Sequence, residues 1–196
     1  ARLGCASRLL NAGQSCIAAK RFIVEEAIAA PFIERLRTHL DAAVVGDPLE
    51  PSTTVGPMAR RDLRDALHAQ VTLSVNAGAT LERGGHVPDR PGWFYPVTLL
   101  THVEPSMPVW TQEVFGPVAV VRVVADAREA LAAANDTTFG LGAAVFTTQH
   151  QDAQTWCQRL EAGAVFVNGM VKSDPRLPFG GIRQSGYGRE LGDLGI

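Results

Sequence analysis

Apolar residues recur three and four positions apart in two stretches of the first half of the chain, which is the spacing of one helical face. The first stretch starts at Glu25, and the second runs from Met58 to Ala77. The proline- and glycine-rich segment VGDPLEPSTTVGP separates them. The pattern therefore predicts two amphipathic helices joined by a long surface connection, with Gly78 ending the second. The apolar positions are Ile28, Phe32, Ile33, Leu36 and Leu40 in the first helix, and Leu63, Leu67, Val71 and Val75 in the second.

Short apolar runs between and after these helices are typical of strands. They are RFIV from Arg21 to Val24, ATLERGG, FYPVTLL and the valine-rich VAVVRVV. Two more helices are predicted, Ala127 to Asn135 and His150 to Leu160, and the strand-like runs GAAVFTT and GAVFVN follow them. A valine-rich strand is usually covered on both faces, so we expect these helices to flank it. The alternation predicts an α/β fold, a three-layer α/β/α sandwich with a mostly parallel sheet, in one domain over residues 1–196.

Charge and cysteine usage narrow the class of protein. The formal net charge is -2, which gives no global field for nucleic acid or an anionic membrane. No apolar run approaches the roughly 20 residues of a bilayer-spanning helix. The odd number of cysteines argues against a secreted disulfide framework and favours the cytoplasm. The dispersed histidines and the lack of a Cys-x-x-Cys motif predict no metal site.

The thiol of Cys16 follows a polar turn, NAGQSC. A free cysteine often packs as a small apolar side chain. Here, however, Gly13 lets the backbone pass close to a ligand, and such a turn can aim N–H groups at a reacting oxygen. A nucleophile fits this setting, although it would need N–H donors, a helix terminus or a distant base to favour the thiolate. The residues alone leave the structural and catalytic interpretations open.

The segment QEVFGPV leads into the valine-rich strand and also has two interpretations. In the structural interpretation, Glu113 is a solvated charge and Phe115 is an anchor in the core. In the functional one, the carboxylate accepts hydrogen bonds from the vicinal hydroxyls of a ribose, and the ring packs on a flat heterocycle.

Four glycines lie close together in PFGG (Pro178 to Gly181) and SGYGRE (Ser185 to Glu190). They predict a turn-rich crossing beside the core, with close backbone contacts. Neither the Gly-x-Gly-x-x-Gly dinucleotide motif nor a phosphate-binding loop is present, so these residues do not contain a complete nucleotide-binding fold.

Five motifs, GQSC, EVFGPV, NDTTFGLGAAVFT, GAVFVN and PFGGIRQSGYGRELG, occur in an order and spacing that resemble the catalytic domain of the aldehyde dehydrogenase superfamily. The resemblance covers essentially the whole chain. It implies that Cys16 is the catalytic nucleophile, that Glu113 holds the nicotinamide ribose, that Phe115 borders the nicotinamide, and that Phe179 lines the active-site tunnel. It also implies that an aldehyde is oxidised to a carboxylic acid through a thiohemiacetal and a thioester of the cysteine.

The family's first half supplies the cofactor domain, the general-base glutamate and the oxyanion-hole asparagine, and we expect it to lie outside these residues. The same holds for the final segment that joins subunits. The cofactor implied is NAD or NADP, bound mainly by that other half. The full-length protein is expected to be a homo-oligomer, and residues 1–196 alone are expected to lack turnover.

The segments CIAAKRFIVEE, GPMARRDLRDALHAQV and VKSDPRLPFGG look most like the succinate semialdehyde dehydrogenase branch. The resemblance implies that the Ser173 hydroxyl donates to the distal carboxylate of the substrate. Some members of that branch carry an arginine six residues before the nucleophile, where this chain has Leu10. Another cation would be needed, and Lys172 or Arg176 on the same loop could supply it.

Three alternatives remain at this point. The chain could serve another aldehyde dehydrogenase specificity, it could be a cofactor-independent cysteine hydrolase or acyltransferase, or it could be a non-catalytic assembly module.

Overall fold

The valine-rich run becomes β4 (Val118–Val124), an inner strand of a four-stranded sheet. The computed structural model describes residues 1–195, apart from the side chains of His150, Asp152 and Leu194. The chain divides into two units, Ala1–Ala125 and Asp126–Ile196. The sheet belongs to the first unit. Its other strands are β1 (Arg21–Glu25), β2 (Thr80–Arg83) and β3 (Thr98–Thr101), in the order β1-β4-β3-β2.

Two strands pair in parallel with β4, and one edge strand runs antiparallel. Arg21 to Glu25 of β1 align with Val120 to Val124, and β3 pairs with β4 on the other side. Strand β2 pairs antiparallel with β3. The mostly parallel sheet predicted from the sequence is therefore confirmed, with one antiparallel edge.

Four helices of the first unit pack against one another or against the sheet. Helices α1 and α2 pack against each other and against β4, and α3 packs against α4. Their bounds are α1 (Arg2–Leu9), α2 (Glu26–Asp41), α3 (Arg61–Asn76) and α4 (Pro108–Thr111), with a 3-10 turn at Leu10–Gly13.

The core of the first unit lies on the face of the sheet that α2 covers. Leu36 and Leu40 of α2 are buried in one cluster with Leu99 of β3 and with Ala119 and Val121 of β4. The intervening residues of β4, Val118 and Val120, are also fully buried. Since successive side chains of a strand point to opposite faces, β4 is covered on both, as its composition predicts.

The second unit contains shorter elements. Helix α6 connects β6 and β7, which pair in parallel, while β5 and β8 pair antiparallel. The bounds are α5 (Ala127–Asn135), β5 (Phe139–Gly140), β6 (Gly142–Val145), α6 (His150–Arg159), β7 (Ala164–Val167) and β8 (Ile182–Arg183), followed by a 3-10 turn at Gly192–Leu194.

Most predicted elements are present within one to three residues of their expected bounds, and α5 has the predicted ones. The sequence pattern missed α4, β5 and β8, because two to four residues are too few to show a period. Helices α5 and α6, expected to flank the valine-rich strand, lie in the second unit, whereas α1 and α2 cover β4 within the first. Within residues 1–195, no helix has the length and apolar character needed to cross a bilayer.

Candidate functional site

Three consecutive residues before Cys16 adopt left-handed backbone conformations. Helix α1 ends at Leu9, and then Asn11, Ala12 and Gly13 have φ values of 51°, 55° and 75°. Residues other than glycine rarely adopt such angles, so this turn must be held by its surroundings. The free thiol of Cys16, which follows this turn, is exposed. We call residues 11–16 the Cys16 turn.

Hydrogen bonds hold the Cys16 turn internally and to its neighbours. The Gln14 N–H donates to the Asn11 carbonyl at 3.0 Å, and Asn11 Nδ2 donates to the Gln14 carbonyl at 3.0 Å. The Gln14 side chain accepts from the Ala59 N–H at 2.8 Å, just before α3. On the far side of the thiol, the Ala19 N–H donates to Ser7 Oγ of α1 at 3.2 Å. The backbone is therefore held on both sides of an exposed sulfur.

The Cys16 turn lies directly against residues 112–118, which we call the Glu113 segment. A Cβ atom at Gly13 would lie 2.1 Å from the carbonyl oxygen of Gly116 and 2.9 Å from the nitrogen of Pro117. No side chain fits this gap, so only glycine allows the approach. Two motifs about a hundred residues apart are thereby brought together.

A buried arginine that none of the sequence motifs indicated also links the Cys16 turn to the Glu113 segment. Arg8 of α1 is only 1% exposed. Its guanidinium donates to the Gly13 carbonyl at 2.7 Å and to the Val114 and Val118 carbonyls at 3.4 Å each. Burial lowers the pKa of Arg8 to about 10, and the negative charge of Glu113 opposes that shift. A cation directly before two apolar residues, Leu9 and Leu10, was the signal that could have found it.

The Glu113 segment is held from other sides as well. Gln70 Nε2 donates to the Gln112 side-chain oxygen at 3.0 Å and to the Glu113 carbonyl at 3.1 Å. Lys20 Nζ donates to the Gln112 carbonyl at 2.5 Å. The Glu113 side chain is exposed, and the Phe115 ring is half-buried. A carboxylate and an aromatic ring are thus presented on a fixed backbone.

Lys20 is a half-buried cation close to this segment. Burial lowers its pKa to about 8, and the nearby positive charges of Arg21 and Arg8 act in the same direction. The charge of Glu113 opposes them. Lys20 and Arg8 therefore place two positive charges within electrostatic range of Glu113.

The remaining predicted site residues lie in the second unit. Lys172 and Ser173 are exposed, and Phe179 is half-buried. The backbone of Phe179 exchanges two hydrogen bonds with Glu190, of 2.7 and 2.8 Å. This isolated antiparallel bridge joins the PFGG and SGYGRE motifs and holds the backbone at Phe179.

Arg176, one of the two candidate cations, is already engaged within its own loop. Its Nε donates to Asp174 Oδ1 at 2.9 Å, and Nη2 donates to Oδ2 at 2.7 Å. These bonds and the Arg176 N–H lower the pKa of Asp174 to about 2. A guanidinium held in this way is less available to a substrate carboxylate than the Lys172 ammonium.

The structure therefore brings the segments of Cys16, Glu113 and Phe115 together in the first unit, and it places Lys172, Ser173, Arg176 and Phe179 near one another along the second. Leu10 is 39% exposed. Among residues 1–195 whose side chains are described, no three His, Cys, Asp or Glu side chains come together in a way that could hold a metal ion.

The sequence and the fold are both similar to known proteins. The model of the aldehyde dehydrogenase family matches residues 2–196. A probable NADP+ succinate-semialdehyde dehydrogenase of Synechocystis is 52% identical over 190 residues, which are 97% of this chain and 42% of that protein. The NAD(P)+ succinate semialdehyde dehydrogenase Sad of Escherichia coli is 48% identical over 191 residues, 97% of this chain and 41% of that protein. The chain thus spans about two fifths of the length of these relatives.

Solved structures agree with these matches. Succinic semialdehyde dehydrogenase from Streptococcus pyogenes, in complex with NADP+, has a TM-score of 0.94 at 39% identity, covering 98% of this chain and 42% of that one. Betaine aldehyde dehydrogenase from Staphylococcus aureus, in complex with NAD+, also has a TM-score of 0.94, at 32% identity, over 98% of this chain and 39% of that one. The predicted fold class and the predicted family resemblance are both confirmed.

The contact between Gly13 and Gly116 predicts that Gly13→Ala is strongly destabilising. The added methyl group would collide with backbone atoms of Gly116 and Pro117, directly before β4. The left-handed φ of residue 13 adds strain. We expect the free energy of unfolding to fall on the order of 3–5 kcal/mol, measured by urea denaturation.

The control is Gly78→Ala, in the same unit, where φ is +110° and a Cβ would meet only Met107 Cε at 4.0 Å. Backbone strain alone should cost this variant about 1–2 kcal/mol. Equal losses in the two variants would contradict the close approach.

The burial of Lys20 predicts a titration near pH 8. Lys20 and Lys172 are the only lysines in the sequence, so reductive methylation with 13C-formaldehyde gives two side-chain NMR signals beside that of the N-terminus. Lys172→Arg identifies the Lys20 signal, and its midpoint should lie near 8 rather than near the ordinary 10.5.

The lowered pKa of Lys20 also determines how the free energy of unfolding changes with pH. Because the pKa of Lys20 is lowered in the folded protein, the unfolded state binds more protons between about pH 8 and 10.5. The contribution of Lys20 to the free energy of unfolding should therefore rise with pH in this range, and Lys20→Met should abolish that rise. A Lys20 midpoint near 10.5 would contradict both expectations.

Proposed function

The chain belongs to the aldehyde dehydrogenase family, and from this membership we propose that it forms the thiol-bearing catalytic part of an NAD(P)-dependent enzyme that oxidises succinate semialdehyde to succinate. One observation supports this proposal above the others: an exposed thiol lies on a turn that packs directly against the segment of an exposed carboxylate and an aromatic ring. The names of the similar enzymes from Synechocystis and Escherichia coli support the substrate.

In this proposal Cys16 is the nucleophile. Its thiolate attacks the aldehyde carbon, so that an S–C bond forms and the carbonyl oxygen becomes an oxyanion. N–H donors of the turn, including the backbone amide of Cys16, stabilise that charge. Loss of hydride from the same carbon leaves a thioester on Cys16. Water then cleaves the thioester, which releases the carboxylic acid and restores the thiol.

Glu113 and Phe115 are proposed to hold the nicotinamide end of NAD or NADP. The exposed carboxylate of Glu113 offers two acceptor oxygens to the vicinal hydroxyls of a ribose, and the half-buried Phe115 ring offers an apolar face. The cofactor, when bound, accepts the hydride. Arg8, Gln70 and Lys20 fix the backbone of this segment, so the carboxylate is positioned before the cofactor arrives. Residues outside this chain would supply most of the cofactor site, and residues 1–196 alone would lack turnover.

The loop before Phe179 is proposed to select the substrate. The Ser173 hydroxyl and the Lys172 ammonium would bind the distal carboxylate, and Phe179 would line the active-site tunnel. The ion pair between Arg176 and Asp174 favours Lys172 over Arg176 as the direct partner. Arg176 would then act on the substrate mainly by shaping the loop.

The partners and the compartment of the enzyme are part of the proposed function. Its partner is a small aldehyde, with neither nucleic acid nor a membrane involved, and the full-length protein would be a homo-oligomer. The three free cysteines support a reducing cytoplasm as its compartment.

The role of Cys16 predicts that Cys16→Ala abolishes oxidation. In the complete polypeptide that contains these residues, turnover of succinate semialdehyde with NADP+ or NAD+ should fall at least about a thousandfold, because no other group forms the covalent adduct. Cys157→Ala, at a half-buried cysteine of the second unit, is the matched control and should keep turnover within about twofold.

Undiminished turnover in Cys16→Ala would refute the assignment of the nucleophile. Hydrolysis of an activated ester by residues 1–196 without a nicotinamide cofactor, lost in the same variant, would instead favour a cysteine hydrolase.

The substrate proposal predicts a loss that depends on the substrate. Ser173→Ala and Lys172→Gln should each lower kcat/KM for succinate semialdehyde about tenfold or more, because each removes a hydrogen bond to a charged group. Neither should change kcat/KM for butanal, which lacks the carboxylate, by more than about twofold. Arg176→Gln should affect succinate semialdehyde less than Lys172→Gln does. Equal losses for the two aldehydes would contradict a carboxylate site on this loop.

A further inference from the structure

Arg8 is the only charged side chain among the buried residues that the structure describes. Its guanidinium contacts three main-chain carbonyls, and its Nε has no hydrogen-bond partner. A buried cation loses its hydration, and neutral carbonyl groups compensate it less well than a carboxylate does. Well-packed apolar residues often replace buried charges without loss of stability. Stability alone therefore does not explain an arginine at this position.

The positions of the three acceptors do explain it. The Gly13 carbonyl belongs to the Cys16 turn, and the Val114 and Val118 carbonyls lie on either side of Phe115 in the Glu113 segment. A single planar group therefore contacts both segments. Because it is rigid and has donors pointing in several fixed directions, it sets the distance and the angle between them.

We infer that Arg8 is a positioning residue for the reaction: it sets the thiol-bearing turn against the segment that orients the cofactor. The inference rests on the proposed function, in which the carbon bound to Cys16 must lie within reach of a nicotinamide ring whose ribose Glu113 holds. Reactions of this kind are sensitive to placement, and an error of about 1 Å can cost on the order of a hundredfold in rate.

Arg8 also stabilises the left-handed backbone of the Cys16 turn. Asn11 and Ala12 are held in conformations that non-glycine residues avoid, so the turn would relax if its carbonyl at Gly13 lost its partner. Lysine carries the same charge, but its ammonium is a compact donor that does not span carbonyls on both segments. Geometry, more than charge, is what Arg8 supplies.

The test compares Arg8→Met and Arg8→Lys with Arg83→Met and Arg83→Lys in the complete polypeptide. Arg83 is a suitable control because it is half-buried, donates to the Leu40 carbonyl and pairs with Asp41, outside both segments. We expect Arg8→Met to lower kcat about thirtyfold or more, with the KM for the aldehyde within about threefold. Arg8→Lys should recover only a small part of the loss, and the Arg83 variants should keep kcat within about threefold.

Hydrogen–deuterium exchange provides a measurement that does not depend on turnover. In both Arg8 variants, peptides covering residues 11–16 and 112–118 should exchange faster together. In the Arg83 variants, these peptides should exchange as in the parent protein. Should Arg8→Met fail to fold, Arg8→Lys carries the same comparison.

The outcomes separate the two proposals. If the parent protein is active and Arg8→Lys has an unchanged kcat, the role of Arg8 is overturned and the proposed function stands. A parent protein that oxidises no aldehyde with either cofactor overturns the proposed function. In that case unchanged exchange in both peptides of the Arg8 variants would also overturn the link between the two segments.

Discussion

The carbonyl oxygen of Gly116 occupies the space in which a side chain at residue 13 would begin. This contact places the Cys16 turn against the entry to β4, the inner strand on which the core of the first unit is built. The turn reaches that position only through three left-handed residues, and two of them are not glycine. The hydrogen bonds of Arg8, Gln14 and Ser7 compensate for this conformation. The exposed sulfur thus belongs to a backbone with little freedom, which is what a preorganised nucleophile requires.

Electrostatics follow from the same packing. Arg8 is buried where its guanidinium contacts the Cys16 turn and the Glu113 segment, and Lys20 nearby is half-buried. Burial makes both cations easier to deprotonate, whereas the exposed carboxylate of Glu113 favours their charged forms. In the second unit the ion pair between Asp174 and Arg176 contributes little to stability, because the Arg176 side chain is exposed to solvent. Arg8 and Lys20 of the first unit hold main-chain carbonyls, whereas the proposed function assigns the exposed Lys172 of the second unit to the substrate carboxylate.

Periodicity and short motifs predicted much of this structure. The three-and-four spacing located α2 and α3, and the valine run located β4, because these signals come from burial of one face or of two. The sequence motifs also pointed to Cys16, Glu113 and Phe115. The motifs alone did not predict that Gly13 and Gly116 touch, since contact between residues this far apart depends on how the strands pair. Arg8 was missed for a related reason: its partners are main-chain carbonyls, which carry no residue signature.

Peptide mass spectrometry after rapid acid quench is the most direct test of the idea that the constrained turn presents a catalytic nucleophile. The complete polypeptide would be mixed with succinate semialdehyde and NADP+ and quenched during turnover. A succinyl thioester is expected on the peptide that contains Cys16, and none on the peptides that contain Cys5 or Cys157. A succinyl group on any other residue, or turnover with no adduct on Cys16 at any quench time, would contradict it.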